Sequence, residues 1–120
     1  MATEASRACR FETRKTEHAL IVDILGPLYL GEGSTALTEK VKTLLGEGHR
    51  NIALNFAGVP KIDSSGMGAL VHAHTSVRNA GGKLRLFAIT PQVQMILKMV
   101  RLETVFEIHP DEATALASFT

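Results

Sequence analysis

The stretch IDSSGMGAL, residues 62–70, sets an aspartate, two serines and two glycines directly ahead of an apolar run. Asp63, Ser64 and Ser65 each carry a short side-chain oxygen that can accept from the free N–H groups of a helix's first turn, so each is a good cap residue. A cap requires one of the three. Gly66 and Gly68 are poor helix residues, and their presence in a first turn implies that backbone or a partner needs close access there. A serine hydroxyl at a helix start is also a place to attach an anion. A phosphate brings about −1.5 to −2 charges to the positive end of the helix dipole, a location that favours it. Asp63 is adjacent and Lys61 is the nearest cation in sequence. Phosphorylation is therefore expected to leave the fold intact and to change the potential that a partner meets, which makes a switch of binding and not of folding.

Nucleophilic catalysis fits the same residues poorly. A hydrolase needs a base within hydrogen-bond reach of the serine, and eight residues of helix put His72 roughly 12 Å from Ser64, with His74 farther still. Ser65 is not in a G-x-S-x-G elbow. His72 and His74, two residues apart on a helix, point to different faces and make a poor metal pair; His74 reads as a packing histidine on the apolar stripe. No G-x-x-x-x-G-K-[ST] loop is present, and no metal or cofactor is expected. Cys9 is single, cannot close an internal disulfide, and reads as incidental. Met67, Met95 and Met99 read as core or groove-filling residues, with the further use that an exposed methionine near Ser64 suits an adaptable interface.

The elements around this stretch alternate. Residues 1–10 are polar without periodicity and read as a flexible amino-terminal tail, leaving 11–120 as the folded domain. Phe11 to Lys15 and ALIVDIL, from Ala19, read as a strand pair in a hairpin, the second strand buried on both faces or nearly so. After Gly26 and Pro27 and a loop with Gly31 and Gly33, Leu37, Val41, Leu44 and Leu45 line one face of a helix capped by Ser34 or Thr35 and ended by Gly46 and Gly48. NIALNFA is a second buried strand. The helix opened by DSSG carries Met67, Leu70, Val71, His74 and Val77 on one stripe and ends before Gly81-Gly82.

KLRLFAI is a third buried strand. Thr90 caps a helix with Pro91 in its first turn and Val93, Ile96, Leu97 and Val100 inward; TVFEI is a short edge strand, and PDEATALASF closes with a helix-start signature. Strands separated by helices imply βαβ crossovers. The fold class is thus α/β: a mostly parallel sheet of four to five strands with an antiparallel edge hairpin, packed by about four helices. In such sheets functional positions gather where a strand's carboxyl end meets a helix's amino end, which is where IDSSG falls.

Composition bounds the function. At 120 residues a single core is expected, and with 45% hydrophobic and 21% charged residues the chain is an ordinary soluble globular protein. The formal net charge of +1, without a Lys/Arg block, and the few aromatics leave no footprint for direct nucleic-acid binding. The apolar runs are too short for membrane insertion, and MATEASRACRF has no signal-peptide core, so a cytoplasmic protein is expected.

NIALNFAGVPKIDSSGMGAL, followed by GGKLRLFAITPQVQMILKMVRLETVFEIHPDEATAL, closely resembles the STAS domain of bacterial anti-sigma factor antagonists. The resemblance runs from about Phe11 to the end and is densest at the strand, D-S-S-G and helix unit, with the G-G-K-L and T-P-x-V segments following in order. It implies that Ser64, the serine directly after the aspartate, is the phosphoacceptor, and that Asp63, Ser65, Gly66 and Met67 belong to the partner-binding surface. It implies an anti-sigma factor serine kinase as partner, bound by the unphosphorylated form so that the sigma factor is freed. Phosphorylation then breaks the complex and a serine phosphatase restores it. The protein would be substrate and ligand, not enzyme. Where these antagonists commonly read G-E-L-D after the second strand, this chain has Gly26, Pro27, Leu28 and Tyr29, without the acidic residue. That departure suits a second role within the family, as a scaffold in a stress-signalling assembly or a subunit of a membrane transport complex, with IDSSG as a structural turn.

Overall fold

The computed structural model describes residues 9–29 and 32–120. The elements are β1 (Arg10–Lys15), β2 (Leu20–Leu25), α1 (Glu32–Gly46), β3 (Asn51–Gly58), α2 (Ser64–Asn79), β4 (Lys83–Phe87), α3 (Pro91–Met99), β5 (Glu107–His109) and α4 (Glu112–Ala117). The five strands lie in chain order across one mixed sheet; β1 and β2 are antiparallel and every later pair is parallel. Each parallel pair is joined through a helix, as the alternation of strand and helix patterns requires.

The period of two along each strand divides the core. Leu20, Val22 and Ile24 of β2, Ile52, Leu54 and Phe56 of β3, and Leu84 and Leu86 of β4 face the apolar stripes of α1, α2 and α3, which contribute Leu37, Val41, Leu70, Val77, Val93 and Leu97. On the other face Ile21, Ala53 and Phe87 pack with Ala115 and Phe119 of the carboxyl-terminal segment. That face is held by charge as well. Arg14 donates to both carboxylate oxygens of Asp23, at 2.7 and 2.9 Å, and to Glu112 of α4 at 2.8 Å, while Asn55 donates to Asp23 at 2.8 Å. These hydrogen bonds, Arg14 first, hold the Asp23 carboxyl below its usual value.

Several boundaries depart from the sequence pattern. The first strand begins one residue earlier, at Arg10, and most of the expected tail, residues 1–8, lies outside the described residues. Helix α1 starts at Glu32 and takes in Gly33, so neither Ser34 nor Thr35 is its cap; Ser34 sits in the first turn and its hydroxyl donates to Tyr29 O at 2.9 Å. The expected strand TVFEI is displaced, with β5 at Glu107–His109. Its first residues are still turning out of α3: Leu102 N–H donates to Leu97 O and Val105 N–H to Leu102 O, and backbone groups spent in turns cannot pair in a sheet. Val100 follows the end of α3 and is half exposed, and Met95 and Met99 are exposed at 61% and 75%, so these two are not core residues. Cys9 is half-buried against the core, and burial pushes its thiol up to about 11.

Candidate functional site

The site forms at the carboxyl end of β3. Beyond Gly58 the chain runs through Val59 to Lys61 and is caught by the loop after β2: Leu28 and Ile62 form a parallel bridge, with Leu28 N–H donating to Lys61 O at 3.1 Å and Asp63 N–H to Leu28 O at 3.2 Å. The loop around Leu28 is thus stitched to the residues just before the helix. Asp63 is extended and caps α2, its Oδ1 accepting from Gly66 N–H at 2.9 Å. Of the three candidate caps, Asp63 takes that role. The two serines become the first residues of the helix, and α2 has no acidic residue in its first turn.

Ser64 is exposed, and its hydroxyl makes no hydrogen bond among the described residues. Ser65 is half-buried, turned toward α1. Gly66 faces inward; a Cβ there would overlap the Leu28 carbonyl oxygen and come within 2.6 Å of the Ile62 side chain. Met67 is buried, at 5% exposure. Gly66 therefore serves close approach of backbone to backbone, which only a residue without a side chain allows. Gly68 differs: it is exposed, and nothing lies within 4 Å of where its Cβ would be.

Two grooves flank this turn. Between α2 and the end of α3 is an apolar one of about 590 Å³, walled by Met67, Val71, Ile96, Val100 and Leu102 with Asp63 and Ser64 at its rim. Between α1 and α2 is a groove of about 340 Å³ that presents the hydroxyl-bearing Ser34, Thr35, Thr38 and Ser65 together with Glu39 and His72. Gly68 borders both. The wall supplied by Ile96, Val100 and Leu102 is not visible in the IDSSG pattern. The signal for it is the apolar pattern of α3 and the turn after it, in which Ile96 and Val100 fall on the expected inward side and Leu102 follows.

The chemistry available is that of an accessible acceptor and a docking surface. His72 lies in the wall of the groove shared with Ser65 and is exposed, whereas His74 packs edge-on against Phe106 at 5.3 Å between ring centroids. Burial, with Arg78 next, lowers the His74 pKa. Neither imidazole is bonded to Ser64. Among the described residues no group of three or more His, Cys, Asp or Glu is placed to hold a metal ion, and no helix is long and apolar enough to cross a membrane.

A family model for the STAS domain matches residues 10–115. Among solved structures, the chain is similar to an anti-sigma factor antagonist from Mycobacterium paratuberculosis, with a TM-score of 0.82 at 14% identity over 94% of this chain and 95% of that one. It is also similar to the Bacillus cell fate determinant SpoIIAA in its phosphorylated form, with a TM-score of 0.69 at 18% identity over 92% of this chain and 100% of that one. A sulfate transporter family protein from Wolinella succinogenes matches with a TM-score of 0.68 at 23% identity, over 82% of this chain and 81% of that one. At these identities the likeness is one of fold: among the described residues, a five-stranded mixed sheet with four helices.

Proposed function

The chain belongs to the STAS-domain family, and from that premise we propose that it is an anti-sigma factor antagonist whose binding is switched off by phosphorylation of Ser64. The observation that carries this reading is the position of Ser64: exposed, on the first turn of α2, at the rim of an apolar groove and beside the capping Asp63. In this reading the unphosphorylated protein binds a cognate anti-sigma factor serine kinase and releases the sigma factor. The kinase transfers the ATP γ-phosphate to Ser64, and a serine phosphatase reverses the transfer. The protein acts in the cytoplasm as substrate and ligand, without catalysis of its own.

The residues around Ser64 have separable parts. Asp63 holds the turn in helical geometry and adds negative charge beside the acceptor. Gly66 lets that turn seat on Leu28, so the hydroxyl is presented by a rigid element. Ser65 and Met67 belong to the two grooves that a partner straddles, and the exposed Gly68 leaves the crest between them low. A phosphate at Ser64 meets the Asp63 carboxylate on one side and the apolar groove on the other. Like-charge repulsion and the cost of burying an anion against apolar surface both oppose docking, while the helix amino end still tolerates the group.

Incubation with candidate anti-sigma factor kinases and ATP, followed by mapping of phosphate by mass spectrometry, tests the reading. Labelling at Ser64 and loss of kinase binding in Ser64→Asp are expected. No labelling together with unchanged binding by Ser64→Asp rejects it.

A second reading has its own support, since a sulfate transporter family protein is among the structural neighbours and Pro27 to Tyr29 replace the usual acidic loop. In it the domain is a scaffold in a stress-signalling assembly, or a transport-complex subunit, without phospho-switching. Co-purification with a membrane transporter in place of a kinase would favour it.

A further inference from the structure

The opposite end of the sheet carries a second feature, separated from IDSSG by the eight-residue β3, roughly 26 Å at about 3.3 Å per residue. There the turn between β1 and β2 and the loop between α1 and β3 border a depression of about 210 Å³ whose lining includes Lys15, His18, His49 and Arg50. We propose that this depression binds a small phosphate-bearing anion, independently of any chemistry at Ser64.

The geometry of the two loops is fixed by their own hydrogen bonds. Asn51 Nδ2 donates to His18 O at 3.1 Å, tying one loop to the other. Gly48, at φ +97°, makes the turn that brings His49 and Arg50 round from the end of α1, a conformation that glycine adopts without strain. Arg50 is anchored twice. Its backbone carbonyl accepts from Lys83 N–H at 2.8 Å, and its Nη1 donates to Leu45 O at 2.9 Å and to His49 O at 3.1 Å. Both side-chain acceptors are neutral carbonyls. The remaining guanidinium donors, on Nε and Nη2, engage no acceptor among the described residues.

Charge decides the ligand class. Arg14 and Arg85 are neutralised by carboxylates at 2.7 and 2.8 Å, whereas neither Lys15 nor Arg50 has a carboxylate partner among the described residues. The acids beside the depression, Glu17 and Glu47, stand 3.8 Å from His18 Nε2 and His49 Nε2, beyond hydrogen-bond distance, with side chains 87% and 59% exposed. Neither acid lines the depression, whose wall carries an ammonium, a guanidinium and two imidazoles beside Thr16, Asn51 and the apolar Ala19 and Leu20. A held guanidinium with free donors and a lysine point charge is a donor set suited to phosphate oxygens. The size suits one or two phosphoryl groups, free or borne by a lipid headgroup.

Amide chemical shifts of the full chain, followed while pyrophosphate is added at constant ionic strength, test the site. Saturable shifts confined to residues 16–20 and 48–51 are expected. Lys15→Gln, at an exposed strand end, should bind about tenfold more weakly, the equivalent of one charge-assisted hydrogen bond, with an unchanged melting temperature. Flotation with phosphatidylcholine vesicles, with and without phosphatidic acid, separates the sources. Phosphatidic-acid-dependent binding that Lys15→Gln abolishes assigns a lipid headgroup, and saturation by pyrophosphate alone assigns a soluble phosphate. Shifts that rise linearly and spread equally over Lys40, Lys61 and Lys98, without vesicle binding, overturn the proposal. So does an affinity that Lys15→Gln leaves unchanged.

Discussion

Gly66 lies so close to Leu28 that the carbonyl oxygen of Leu28 occupies the space a Cβ would take, while the amide of Asp63 donates to that same oxygen at 3.2 Å. One backbone atom thus seats the first turn of α2 and fixes the residue that caps it. The position of Ser64 follows from this contact.

Gly66→Ala and Gly68→Ala should therefore act in opposite directions. At Gly66 the obstacle is backbone, which cannot rotate aside, and the overpacking outweighs the gain in helix propensity; urea unfolding should show a loss of about 1–2 kcal/mol. At Gly68 nothing obstructs the methyl group, and alanine should stabilise the protein by roughly 0.5–1 kcal/mol. If a partner straddles the crest of α2, the same Gly68→Ala change weakens its binding despite the gain in stability.

The contrast marks what a sequence reader can and cannot see. Two glycines after D-S-S announce a first turn that needs close approach, and that is legible; which glycine meets the protein's own backbone depends on Leu28, 38 residues away, and is not. Local signals held where the cause is local. Thr90 before Pro91, with its Oγ1 accepting from Val93 N–H, and the α2 stripe of Met67, Leu70 and Val77 are of this kind. They failed where a loop or turn hydrogen bond that no apolar period reports decides: Ser34 reads as a cap, yet its hydroxyl donates to Tyr29 O and the helix begins earlier. The apolar pattern of TVFEI reads as a strand because periodicity cannot show that Val105 N–H is already used in a turn. The wall of the apolar groove is only partly legible: Ile96 and Val100 fall on the inward side of the α3 pattern, while their facing Met67 and Val71 across a groove depends on tertiary packing.

Asp63→Ala should cost about 1 kcal/mol, the usual effect of losing a capping oxygen, and Asp63→Asn should recover most of it because the amide oxygen still accepts from Gly66 N–H. Comparing the two in kinase labelling separates the roles of cap and charge. A defect shared by both is due to the carboxylate, and a defect in Asp63→Ala alone is due to the geometry of the turn.

Two titrations should be readable in the pH dependence of stability. Burial, then Arg78, lowers the His74 pKa from its ordinary 6.5, so the unfolded chain takes up that proton first. Stability should hold above about pH 6.5 and decline as the pH falls below it, and His74→Gln should flatten that decline. Asp23 is held below its ordinary 3.8 by Arg14 and then Asn55, with burial opposing. Its contribution is present above 3.8 and lost as the pH falls through the lowered value, so Asp23→Asn should flatten only this acid limb. Thermal melts across the two ranges check both signs.

Ser64→Ala removes a hydroxyl that makes no internal hydrogen bond among the described residues, so unfolding should shift by no more than about 1 kcal/mol while labelling disappears. A much larger loss of stability would mark Ser64 as a structural residue.

The central claim is that a phosphate on Ser64 governs partner binding, and the direct measurement is the affinity of the anti-sigma factor kinase for the protein with and without phosphate at that serine, by titration calorimetry. The account predicts a complex with the unphosphorylated protein and at least about a hundredfold weaker binding once Ser64 is phosphorylated, as like-charge juxtaposition and desolvation at an interface require. Equal affinity of the two forms would contradict it.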